Sequence, residues 1–166
     1  MWCLVRFRCV RCGRCCRELE VVIVLSDVER WARAGRWSLL AYVVKRRARG
    51  WLSSLGIEYY FALKRGDRGC PFYSGGLCRI YDVRPNVCRL FPFAYSEDGL
   101  AIHPWAKRKC PGLGIGERLS AEEEEELKAL ARDIVKELVA LPYYSTFLDE
   151  LISDVKKTVF SSRSKR

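Results

Sequence analysis

The chain has 166 residues, with 30 Lys and Arg against 20 Asp and Glu, a formal net charge of +10, and 9 Cys. With 49% apolar and 12% aromatic residues, long intrinsic disorder is excluded and one domain able to bury its own core is predicted. The longest apolar run, Leu39 to Val44, is about six residues against the roughly 20 of a spanning helix, and arginines interrupt the N-terminus where a secretion signal would be apolar. A cytoplasmic protein with no membrane partner is therefore expected.

In chain order, residues 2–17 form an Arg/Cys segment without a period, and Leu19 to Leu25 predicts a short strand. Ser26-Asp27-Val28-Glu29 has capping-box spacing, which predicts a helix from Asp27 to Ala34, stopped by Gly35. A second helix is expected from Ser38 to Ala48, with Gly50 after it as a stop. Ile57 to Lys64, carrying Glu58-Tyr59-Tyr60-Phe61, predicts a strand. The glycines and prolines of residues 65–92 exclude long regular elements. Ser96-Glu97-Asp98-Gly99 predicts a hairpin turn, and Gly112, Gly114 and Gly116 predict a flexible connection.

Ser120, with Glu123 three residues on, starts the strongest helix of the chain. Its apolar face is Leu127, Leu130, Ala131, Ile134, Leu138 and Leu141. The Glu122–Glu126 run reads as a solvated helix start, favoured by the helix dipole, rather than an acidic metal site. A last helix is expected from Tyr143 to Phe160, then a basic tail over residues 161–166. The fold class is α+β: a small single domain, mainly helical, with short strands, cysteine-bearing loops and two C-terminal helices. Residues 1–118 form a cysteine-cluster metal-binding module, and residues 119–166 form a helical pair packed on it within the same domain.

Charge and cysteines are unevenly placed. Residues 1–110 carry 21 Lys and Arg against 9 Asp and Glu and hold every cysteine, whereas residues 111–166 carry 9 against 11. One Asn, no Gln and abundant Arg and Glu are the pattern of a protein from a hot environment. Intracellular disulfides occur in such proteins, so pairing of the cysteines stays open.

Cys9-x-x-Cys12-Gly13-x-Cys15-Cys16 packs four thiols into eight residues, and Cys70, Cys78, Cys88 and Cys110 follow, dispersed. Thiolates at such spacing suit zinc or an iron–sulfur cluster, each of which takes four per site. Disulfides and small core hydrophobes are the alternatives. The core reading fits poorly beside Arg6, Arg8, Arg11, Arg14 and Arg17. A four-thiolate site is negative, and these arginines, with Arg79, Arg84 and Arg89 around the later cysteines, would offset its charge and donate hydrogen bonds to sulfur.

Together with Cys70-Pro71-Phe72, Cys78-x-Ile80-Tyr81-x-x-Arg84-Pro85-x-x-Cys88-Arg89-x-Phe91-Pro92 and Cys110-Pro111-Gly112, this pattern resembles the YkgJ-like CxxCxxCC cysteine-cluster family, described as zinc- or iron-chelating. The resemblance spans about residues 9–116. It implies Cys9, Cys12, Cys15, Cys16, Cys70, Cys78, Cys88 and Cys110 as metal ligands, with Tyr81, Arg84, Pro85, Arg89 and Pro92 shaping the site. The cofactor it implies is an iron–sulfur cluster, the four-iron form favoured, or zinc. Cys3 lies outside the pattern and reads as an ordinary thiol.

Flagellin lysine-N-methylases are similar in this motif, so the alternatives to a metal protein with a redox or accessory role are two. One is a protein-modifying, lysine methyl-transfer-like accessory enzyme acting on a protein partner. The other is a basic zinc module binding nucleic acid, for which arginines interleaved with Trp2, Phe7, Trp31, Trp37 and Trp51 speak. Against it, no known zinc-finger or RNA-binding spacing is present. His103, the only histidine, reads as structural, and Gly112-x-Gly114-x-Gly116 lacks the preceding strand that a nucleotide loop needs. No catalytic residue is identified.

Overall fold

The computed structural model describes residues 5–161. Cys3 and the tail beyond Ser161 lie outside the described residues. About half of the chain is helical and 22% is strand, in several small antiparallel sheets, so the class is α+β.

The central sheet forms because Tyr59–Leu63 (β4) is a β-rich run with Tyr60, Phe61, Ala62 and Leu63 all buried. It is flanked by Val22–Ile23 (β2) on one side and Val43–Arg47 (β3) on the other. The register runs from Val43 opposite Leu63 to Arg47 opposite Tyr59. Arg6–Phe7 (β1) pairs with Leu113–Arg118 (β9), Tyr73–Ser74 (β5) with Leu77–Cys78 (β6), and Phe93–Ser96 (β7) with Gly99–Ile102 (β8), the expected hairpin. The helices are Arg14–Glu18 (α1), Leu25–Arg33 (α2), Trp51–Ser54 (α3), Asn86–Leu90 (α4), Pro104–Lys109 (α5) and Ala121–Ser161 (α6).

One core joins these layers. Trp31, Leu40, Val43, Phe61, Ala62 and Leu63 meet Ala131, Ile134, Leu138 and Leu148 of α6. The helix lies across a 3-10 segment at Trp37–Tyr42, α4 and the β7–β8 hairpin.

Four expectations change. The helix expected over Ser38–Ala48 is instead the 3-10 segment followed by β3. Val43 and Val44 are β-branched, and β4 offers five consecutive backbone partners, so tertiary pairing overrides a weak helical pattern. The flexible connection around Gly112–Gly116 is mostly strand β9, because β1 supplies its partner.

The third change lies at the start of α2, which is capped two residues earlier than expected. Asp27, not Glu29, reaches back to the Val24 amide at 3.1 Å, and the Ser26 hydroxyl is engaged elsewhere. Finally, the two C-terminal helices are one helix of 41 residues that runs through Pro142. Proline removes one N–H at a cost of about 3 kcal/mol, but Leu138 and Leu141 before it and Leu148 and Ile152 after it bury the same face. The Ser120–Glu123 box holds as expected, with amide-to-side-chain distances of 2.8 and 3.1 Å.

Candidate metal centre

The cysteines are gathered by short elements and backbone ties. Gly13 starts the turn into α1 at a φ of 69°, and a Cβ there would lie 1.9 Å from the Tyr73 ring. Only glycine fits both the conformation and the space. Helix α1 then carries Cys15 and Cys16. Gly69, at a φ of 90°, brings the next segment against it: a Cβ would sit 2.5 Å from both the Arg17 Cα and the Cys16 carbonyl oxygen. At that distance the Cys70 amide donates to the Cys16 carbonyl at 2.8 Å.

Cys78 stands opposite Tyr73 across β5–β6. Cys88 lies in α4, its amide bonded to the Pro85 carbonyl at 2.9 Å. Cys110 closes α5, and the Arg8 amide donates to the Gly112 carbonyl at 3.1 Å, so the β1–β9 pairing brings the chain just before Cys9 against the chain just after Cys110.

All eight motif cysteines, with Tyr81, Arg84, Pro85 and Arg89, line one cavity of about 1120 Å³. All eight are free thiols, so the disulfide reading is not realised among the described residues. Nor does any group of three or more Cys, His, Asp or Glu side chains among the described residues draw close enough to grip an ion.

The thiols act on one another. Cys16 donates to Cys15, which brings the Cys15 thiol down to about 7 and pushes the Cys16 thiol up. Burial pushes Cys70, Cys88 and Cys110 up, and neighbouring thiols add to it: Cys70, Cys15 and Cys78 around Cys88, and Cys12 and Cys15 around Cys110. Ionising several of these thiols together is unfavourable without a compensating cation. An all-sulfur donor set is also what zinc and iron–sulfur clusters take. The chemistry of the site therefore fits such a group.

The Arg17 charge helps to hold the Cys15 thiol down, while the arginine hydrogen bonds go elsewhere. Among the described residues, none of the hydrogen bonds of Arg14, Arg17, Arg84 or Arg89 reaches a sulfur. Arg17 donates to the Cys12 carbonyl at 3.1 Å and Arg14 to the Lys109 carbonyl at 3.3 Å, tying the N-terminal loop to itself and to α5. Arg84 lies 3.9 Å from the centre of the Tyr81 ring, and Arg11 lies 5.4 Å from it. Carbonyl oxygens in loops lack ladder partners, so a nearby guanidinium is better used there than on a neutral thiol.

A buried polar network was not foreseen. Asp27, fully buried, accepts from the amides of Val24 and Asn86 at 3.1 and 2.8 Å and from Arg30 at 2.6 Å. Asn86 donates to the Ser26 hydroxyl at 2.8 Å, and that hydroxyl donates to Glu137 at 2.7 Å. Arg30 also bonds the Asn86 side-chain oxygen and the Arg84 carbonyl, each at 2.8 Å. The network clamps α4, and with it Cys88, between α2 and α6. Its one trace in the sequence is that Asn86 is the only asparagine of the chain. His103 caps α5, its Nδ1 accepting from the Trp105 amide at 3.2 Å, and burial holds its imidazole below the ordinary value.

Two proteins of Methanocaldococcus jannaschii are similar in sequence. "Uncharacterized protein MJ0661" is 27% identical over 146 residues, 81% of this chain and 71% of its own length. "Uncharacterized protein MJ0939" is 29% identical over 92 residues, 49% of this chain, which spans only 33% of that protein. No solved structure matches the chain. Over residues 8–111 the sequence matches the CxxCxxCC family, described as "Putative zinc- or iron-chelating domain", and the chain belongs to that family.

Proposed function

We propose that this chain holds an iron–sulfur cluster, the four-iron form favoured among clusters, or else zinc, in the cavity lined by its eight motif cysteines, and serves a redox or accessory role in the cytoplasm. The observation that carries the reading is that four separate chain segments bring all eight motif cysteines to the lining of one cavity. When bound, such a cluster supplies one-electron chemistry.

We read the donors as two sets that meet at Cys15, which is hydrogen-bonded to Cys16 and is felt by Cys70, Cys88 and Cys110. The backbone hydrogen bond from the Cys70 amide to the Cys16 carbonyl, the β5–β6 pairing and the charge Cys88 feels from Cys70 and Cys78 support grouping Cys16, Cys70, Cys78 and Cys88. The β1–β9 pairing and the closeness of Cys110 to Cys12 and Cys15 group Cys9, Cys12, Cys15 and Cys110. Protein isolated without oxygen is expected to be brown, with iron and sulfide in cluster proportion. A colourless protein without iron or zinc would end the reading, and zinc alone would replace the cluster by zinc. Cys70→Ser and Cys110→Ser should each remove about half of the metal; loss of all of it in either variant would merge the two sets into one.

A further inference from the structure

Helix α6 buries Ala131, Ile134, Leu138, Leu141, Leu148 and Ile152, and its opposite side faces away from the protein. At about 100° per residue, that opposite side carries a straight stripe about 33 Å long, all of it exposed. Its centre is Tyr143, 92% exposed, with Val139 and Phe147 four residues to either side. An ordinary solvated face carries no such apolar run.

The charges around it are ordered. Lys136 and Glu150 stand seven residues to either side of Tyr143, and Arg132 and Asp154 stand eleven to either side. The stripe is thus basic at one end, apolar in the middle and acidic at the other, with equal spacing about one residue. A half-turn about Tyr143 maps each basic residue onto an acidic one and Val139 onto Phe147. A surface that complements its own rotated image fits a second copy of itself. Ala140 and Thr146, three residues to either side, are small enough at the edges to let two helices approach. Within one chain Lys136 meets Asp133 at 3.5 Å and Lys157 meets Asp154 at 3.0 Å, both exposed pairs that bind weakly and can yield or be shared.

We propose that α6 pairs antiparallel with α6 of a second copy of this chain about a two-fold axis at Tyr143, with Lys136 facing Glu150 and Arg132 facing Asp154. One helix face is a small interface, so the dimer should form reversibly and dissociate on dilution.

The test is sedimentation equilibrium of the full chain, kept reduced and isolated without oxygen, across a range of concentrations. The wild-type chain should show a monomer–dimer equilibrium. Lys136→Glu and Glu150→Lys should each weaken it roughly tenfold, because each creates two like-charged contacts per dimer. Mixing the two variants should restore dimerisation as a heterodimer, since both contacts are again opposite in charge, and the double variant should dimerise like wild type. This rescue cannot come from a folding defect. A wild-type chain that stays monomeric at high concentration overturns the proposal, and so does a dimer that neither single substitution weakens or that mixing fails to restore.

Discussion

Helix α6 and the cysteine segments are held in opposite ways. The helix closes its own hydrogen bonds, is capped by Ser120 and Glu123, and buries one continuous apolar face. The cysteine segments consist of strands as short as two residues, helices of five or six, and single backbone bonds between loops. The difference teaches where order comes from. A long helix with an apolar face is stable by local bonds and core burial alone. Loops that bring eight cysteines to one cavity have little of either, so under the proposed function the group that the thiols hold supplies part of their order.

The largest expected effect separates the two regions directly. When metal is stripped by a chelator from protein isolated without oxygen, amides of residues 8–18 and 69–113 should lose about 5 kcal/mol or more of protection against hydrogen exchange. Amides of α6 between Ala131 and Ile152 should change little. Equal loss in both regions would break the comparison.

Next is a substitution confined to the cysteine side. Gly69→Ala should cost about 3 kcal/mol in a denaturant titration, because the new Cβ meets backbone atoms of Cys16 and Arg17 that cannot move aside. Gly76→Ala, also at positive φ but with nothing within 4 Å, should cost only about 1 kcal/mol. Equal costs would mean that the close approach of the two cysteine segments contributes nothing.

Asp27→Ala tests the clamp between the regions. It removes the acceptor of two amides and of the Arg30 guanidinium, so a loss of about 3 kcal/mol is expected. The Cys88 thiol of α4 should also react faster with an alkylating reagent. Unchanged Cys88 reactivity would show that the network serves stability alone.

The smallest effect is on pH. His103 caps α5 only while its Nδ1 is unprotonated, and its folded value lies below its ordinary one of 6.5. A base with a depressed folded value contributes stability that is full above pH 6.5 and is lost as the pH falls through 6.5 toward that lower value. Between pH 7 and pH 5, wild type should therefore lose stability relative to His103→Asn, which keeps a cap that does not titrate, by less than about 1 kcal/mol. Parallel pH profiles would show that the imidazole does not act as the cap.

Much of this was legible in the chain itself. Ser120 and Glu123 announced the helix, the turn at Ser96–Gly99 announced the hairpin, and the cysteine spacing announced the family. Each is a local pattern, whose physical cause lies within a few residues of it or in the chemistry of one residue type. The start of α2 was close but misassigned, because Ser26 has a distant partner in Glu137 that no local pattern reveals.

Three features were decided by tertiary structure alone. Val43–Arg47 became a strand because β4 stood ready to pair with it, and α6 passed through Pro142 because the core rewarded an unbroken face on both sides of it. The arginines near the cysteines went to loop carbonyls, since the fold brought unpaired carbonyls within their reach. Apart from the Arg17–Cys12 contact, which spans five residues, these partners lie a dozen or more residues away. The sequence by itself determined which atoms could bind a metal and where one long helix begins. The tertiary structure decided which segments meet, because pairing energy between distant segments outweighs the small local preferences of each.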